Sequence, residues 1–262
     1  MKKVTKSKST SSWVLVWKLN FADMKCKASS FINMFWVLAA LLWFGQGTEC
    51  LFAQASTNST KVKFRPSGTG TAASVRVTGG SRGSGDSAVT LDVLAPDEIG
   101  VTTQEQPSLY WFQSKPAQAK FELTLLEENK PKPIVQVMVE RSTKAGIQRL
   151  KLSDQKAKLA LGVEYQWVVA LITDPDNRSK DLVASGVIKR IEPSADLKEK
   201  VNKASAAALP NVYAEAGIWY DALTALSDQI DAQPDNKALR QTRADLLQQV
   251  GLKAAAQAES VN

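Results

Sequence analysis

The chain has 262 residues, a net charge of +7, two cysteines and no histidine. Without histidine, Ser-His-Asp and Cys-His nucleophile systems are excluded and the common zinc sites lose their usual ligands. Residues 1–55 hold seven lysines against two acids, leaving 26 basic and 24 acidic residues beyond them, so the excess charge belongs to the N-terminus and not to a nucleic-acid footprint.

Residues 1–55 read as a signal peptide. A lysine-rich stretch precedes an apolar run of 14 residues, 31–44, which suits the core of a secretory leader and falls short of the ~20 residues that span a bilayer. Ala53-Gln54-Ala55 has the small-x-small form of a cleavage site, and translation can start at Met1 or at Met24. Both cysteines, Cys26 and Cys50, lie within this leader, so the mature part cannot form disulfides. The expectation is a periplasmic or secreted protein that meets the membrane only through its leader.

Residues 56–87, rich in Gly, Ser and Thr, read as a disordered linker. Its glycines lack the Gly-Lys-Ser/Thr end and helix start of a phosphate-binding loop.

From 88 to 192 short apolar runs alternate with turn residues. Strands are expected at 89–94, 108–112, 120–126, 134–139, 147–152, 165–172 and 182–191. Phe121, Leu123 and Leu125, and Val135, Val137 and Val139, show the two-residue period of a half-buried strand. Seven short strands with no helical period predict an immunoglobulin-like antiparallel β-sandwich. Leu159, Gly162 and Tyr165 have the spacing of a tyrosine corner, in which a Tyr hydroxyl ties a strand-crossing loop to its backbone.

Residues 195–252 turn helical and are expected to form a helical hairpin packed on the sandwich, with 253–262 a frayed tail. Trp219, Leu223, Leu226 and Ile230 form a stripe ended by Pro234, and Asp235 or Asn236 can cap the next helix. Gly217 and Gly251, Tyr213 and Leu247, and Ile218 and Leu252 are each 34 positions apart, the period of a tetratricopeptide repeat. So short a helical array cannot bury its own stripe, and the sandwich is the available cover.

The chemistry left open by composition is sparse. Asp97 and Glu98 with Glu105 could form a glycosidase-type carboxylate pair, and Asp174, Asp176, Asn177 and Asp181 a calcium loop, but both sets read better as solvated turns. The strand 109–112 is apolar on both faces and must be covered twice, placing Trp111, Trp219 and Tyr220 as interaction or interdomain aromatics. No catalytic, cofactor or metal residue is assigned.

Several motifs carry a resemblance. These are the Gly-Gly-x-Arg-Gly stretch at 79–83, Leu94-Ala95-Pro96, Gly100-Val101-Thr102-Thr103 and Pro107-Ser108-Leu109-Tyr110-Trp111-Phe112. Gly162-x-x-Tyr165-x-Trp167 and the segment 213–223, Tyr-Ala-Glu-Ala-Gly-Ile-Trp-Tyr-Asp-Ala-Leu, complete the set. Over roughly residues 75–252 the chain resembles the cyanobacterial domain-of-unknown-function 928 family. The resemblance implies an exported protein with no assigned activity. The function expected is a non-enzymatic protein-interaction module of the cell envelope, with a protein partner. The alternative is an envelope carbohydrate-binding or carbohydrate-cleaving protein using an exposed Trp111.

Overall fold

The computed structural model describes residues 61–66, 68, 76–80, 89–116, 119–139 and 144–261, all within the compact unit Ala55–Asn262. The expected leader lies outside the described residues, as does most of the expected linker. Among the described residues no helix is long and apolar enough to cross a membrane.

The protein is mainly β, with helices at its C-terminal end. In chain order the strands are β1 (Gly79–Gly80), β2 (Thr90–Val93), β3 (Gly100–Thr102), β4 (Ser108–Gln113), β5 (Lys120–Glu127), β6 (Val135–Val139), β7 (Gly146–Lys151), β8 (Glu164–Ile172) and β9 (Leu182–Arg190). The helices are α1 (Ala195–Lys203), α2 (Leu209–Glu215), α3 (Trp219–Ala232), α4 (Lys237–Gln249) and α5 (Lys253–Val261). One sheet has the order β1-β2-β4-β7 and the other β3-β9-β8-β5-β6. All pairings are antiparallel except β3 on β9, where Gly100 lies opposite Ile188 and Thr102 opposite Arg190.

The two-residue alternation sets what each strand buries. Phe121, Leu123 and Leu125 of β5, with Tyr165, Trp167, Val169 and Leu171 of β8, point into one core. Leu91 and Val93 of β2 and Leu109 and Trp111 of β4 belong to it from the other sheet, the Trp111 ring standing 5.9 Å from Phe121. The tyrosine at the corner behaves as its spacing predicts, the Tyr165 hydroxyl accepting from the Ala160 amide at 3.0 Å.

Tyr110 and Phe112, on the opposite face of β4, are buried as well, and the Tyr110 hydroxyl lies beside Thr224 and Ser227 of α3. Strands and helices therefore share one apolar cluster, running from Phe121 and Trp167 to Trp219, Leu226 and Leu247.

The helices start and stop where their sequence dictates. Ser194 caps α1 by accepting from the Leu197 amide, and Asn236 caps α4 by accepting from Ala238 and Leu239. Pro210 sits in the first turn of α2, so it restarts the helical path instead of kinking it. Gly217 and Gly251 each have φ +77°, a left-handed conformation that admits glycine at little cost. Around them the hydrogen bonds repeat: Ile218 to the Tyr213 carbonyl and Leu252 to the Leu247 carbonyl, the closing bond of a Schellman cap.

Two expected boundaries are corrected. Residues 253–261 are not a frayed tail but form α5, with Ala255, Ala256 and Glu259 buried. Small side chains let α5 lie close to α4, and the Glu259 carboxylate is matched by Arg243, at 2.6 Å. Within the expected linker, residues 61–66 are held against the helices: Val62 and Phe64 are buried and Arg65 donates to the Ala214 carbonyl.

Candidate functional site

The motifs singled out in the sequence meet at one seam between strands and helices. The first turn of α3 supplies three consecutive side chains to it. The Trp219 indole donates to the Leu94 carbonyl at 2.8 Å. The Tyr220 hydroxyl accepts from the Trp167 indole at 2.9 Å and donates to the Val187 carbonyl at 3.1 Å. Asp221 accepts from the hydroxyls of Thr102 and Thr103 and from the Thr103 amide.

Glycine is required where β3 meets α3, because a Cβ on Gly100 would stand 2.6 Å from a ring carbon of Tyr220. Arg76 ties a third region in, donating to the carbonyls of Ala95 and Val250 at 3.1 Å each and pairing with Asp97 at 2.7 Å.

Burial shapes the acidity here. Desolvation pushes the Asp221 carboxyl above the usual aspartate range, against the donors from Thr102 and Thr103, which act the other way. The Tyr220 hydroxyl is driven up in the same way. These groups are engaged by partners within the chain and close a joint.

The three aromatics named from sequence therefore lie inside. Trp111 is 1% exposed, and Trp219 and Tyr220 are fully buried. A glycan platform needs an exposed ring face, so Trp111 cannot serve as one; the opposing sheet covers it.

Four of the candidate acids are paired as well. Asp97 is held by Arg76, and Glu105 by Lys158 and Arg190. Of the supposed calcium loop, Asp174 pairs with Lys180 and Asp181 with Arg178. Among the described residues no group of three His, Cys, Asp or Glu side chains could hold a metal.

The open surface lies beside the seam. A groove of about 800 Å³ runs between β7 with the loop 104–107 on one side and α2 and α3 on the other. Its walls carry the amides of Gln104, Gln106, Gln229 and Gln233, and Ala206, Ala207, Leu209 and Tyr213 give it an apolar side. Arg149 and Lys151 line the β7 wall, with Asp228 across from them. Arg149 donates to Asp228 at 2.6 Å and lies over the Tyr110 ring, 5.3 Å from its centroid. It also borders a smaller hollow of about 380 Å³ lined by Tyr110, Arg240, Arg243 and Glu259.

Sequence reasoning missed Asp221, which lies on the buried side of α3, and the groove, whose polar walls come from separate loops and helices.

The profile of the family described as Domain of Unknown Function (DUF928) matches residues 77–260, and the chain belongs to this family. No curated protein matches the sequence.

Proposed function

We propose that this DUF928 protein is a non-enzymatic interaction module of the cell envelope, exported by the leader at residues 1–55 and offering its groove to a protein partner. The groove carries the reading. Its volume of about 800 Å³ falls in the range of ligand sites, and its apolar side of Ala206, Ala207, Leu209 and Tyr213 beside the basic wall of Arg149 and Lys151 suits a polypeptide segment. The polar groups of the neighbouring seam are tied to structural partners, which favours recognition over chemistry.

Two finer readings of the fold accompany it. The order β1-β2-β4-β7 against β3-β9-β8-β5-β6, with one parallel edge pair and the Tyr165 corner, supports an immunoglobulin-like sandwich. The turn geometry repeated 34 positions apart at Gly217 and Gly251 supports a tetratricopeptide-like reading of the segment from α2 onward.

The test is retrieval from envelope extracts. Wild-type protein should capture the same protein repeatedly, and Ala225→Arg, which fills the groove from α3, should lose it while keeping its circular dichroism spectrum. Capture unaffected by Ala225→Arg, or no reproducible capture, would refute the reading. Export is tested separately by the N-terminal sequence of the protein recovered from the producing cell: a start near Ser56 is expected, and an intact residue 1–55 segment would count against it.

A further inference from the structure

Residues 61–66 are held as an extended peptide. Val62 and Phe64 are buried, while Lys61, Lys63, Arg65 and Pro66 are exposed. The Gln249 carboxamide grips the backbone twice, its oxygen accepting from the Phe64 amide at 2.9 Å and its nitrogen donating to the Val62 carbonyl at 2.8 Å. The Arg65 amide donates to the Ala214 carbonyl at 3.0 Å. The Phe64 ring meets Trp219 edge-on, with centroids 5.0 Å apart.

This is the division of labour of peptide recognition. Main-chain hydrogen bonds hold any extended backbone, and buried positions for alternate side chains select its sequence. The receiving groups, Ala214, Trp219 and Gln249, lie inside the family match, which begins at residue 77; the segment they hold lies before it. None of them lines the 800 Å³ groove, so the site stands or falls independently of the function proposed for that groove.

We infer that the end of α2, the start of α3 and the end of α4 form a binding site for an extended peptide, and that residues 61–66 are its tethered occupant. The ligand that displaces them is a segment of another protein with the same pattern. It carries an aliphatic residue and an aromatic one two positions later.

The tether sets the threshold for exchange. Nine residues separate Pro66 from Arg76, the next anchored position among the described residues, and so short a connection gives an effective concentration of about 1 mM. For an intrinsic affinity of about 10 μM, the site is then ~99% self-occupied and a free competitor is weakened ~100-fold.

The full-length chain tests this. A fluorescent peptide of sequence Lys-Val-Lys-Phe-Arg-Pro is titrated into wild type and into a Val62→Asp, Phe64→Asp double variant, with folding checked by circular dichroism. The double variant should bind the peptide about 100-fold more tightly than wild type, and adding Gln249→Leu should abolish the gain. Equal affinity in wild type and double variant, or binding indifferent to Gln249→Leu, overturns the inference.

Should the double variant not fold, a protease site inserted after Gly68 in the otherwise wild-type chain supplies the second measurement. Held at about 100 μM protein, ten times the assumed dissociation constant, the cleaved N-terminal fragment should stay mostly bound to the body and be released by excess free peptide. A fragment that leaves without competitor, or that no excess of peptide displaces, overturns the inference equally.

Discussion

Truncating Trp219 to alanine tests whether strands and helices are one cooperative body. The ring is fully buried, donates to the Leu94 carbonyl at 2.8 Å and packs on Phe64 at 5.0 Å. Large aromatic truncations in a core cost about 3–5 kcal/mol, the cost rising by roughly 24 cal/mol per Å³ of void that does not collapse. Leaving a buried carbonyl without its donor is worth about 1–3 kcal/mol. The two overlap, so Trp219→Ala should lose about 4–5 kcal/mol.

With a urea m-value near 2 kcal/mol/M, the midpoint should fall by about 2 M with an unchanged slope. Far-UV circular dichroism is the right readout, because removing a tryptophan confounds fluorescence. Trp219→Phe keeps most of the volume and should lose only the hydrogen-bond share, about 1–3 kcal/mol. A loss below about 1 kcal/mol for alanine, or an early step that melts helix alone, would refute the shared core.

Other changes probe single contacts. Gly100→Ala drives a methyl against the Tyr220 ring and should cost about 1–3 kcal/mol by urea titration. Arg243→Ala leaves the buried Glu259 carboxylate unpaired and should cost about 3–5 kcal/mol, whereas Arg243→Met with Glu259→Met should be near neutral in thermal melts.

Asp92 supplies a pH test. Burial raises its carboxyl above the ordinary value of 3.8, with Thr78 and Arg76 acting against the shift. The native state then holds the proton more tightly than the unfolded chain. Its contribution is full below 3.8 and is lost as pH rises through the raised native value. Asp92→Asn should gain on wild type in paired urea titrations as pH is raised from there toward neutrality; a flat or opposite difference would refute burial as the cause.

What could be read from sequence followed the reach of periodicity. Long alternating strands such as β5 announce themselves, since Phe121, Leu123 and Leu125 must share one face. The strand β3 could not be read, because three residues carry no period and only its parallel seating on β9 makes it a strand. Helix α5 was hidden because alanines and a glutamate look like a polar end until Arg243 supplies the opposite charge. The segment 61–66 did carry a signal: Val62 and Phe64 alternate with Lys61, Lys63 and Arg65, inside a stretch whose Gly, Ser and Thr content spoke louder.

The candidate site was less visible than the fold. Its motifs fall at the seam, but the contacts made there by Tyr220 and Asp221 join residues far apart in sequence, and spacing alone cannot show which groups meet.

That distance has a consequence for biogenesis. The bonds from Thr102 to Asp221 and from Trp219 to Leu94 close loops of 119 and 125 residues. Such contacts form only after α3 has left the ribosome, by which time all nine strands have already emerged. Until α3 arrives, the strand faces that it covers stay open on the nascent chain.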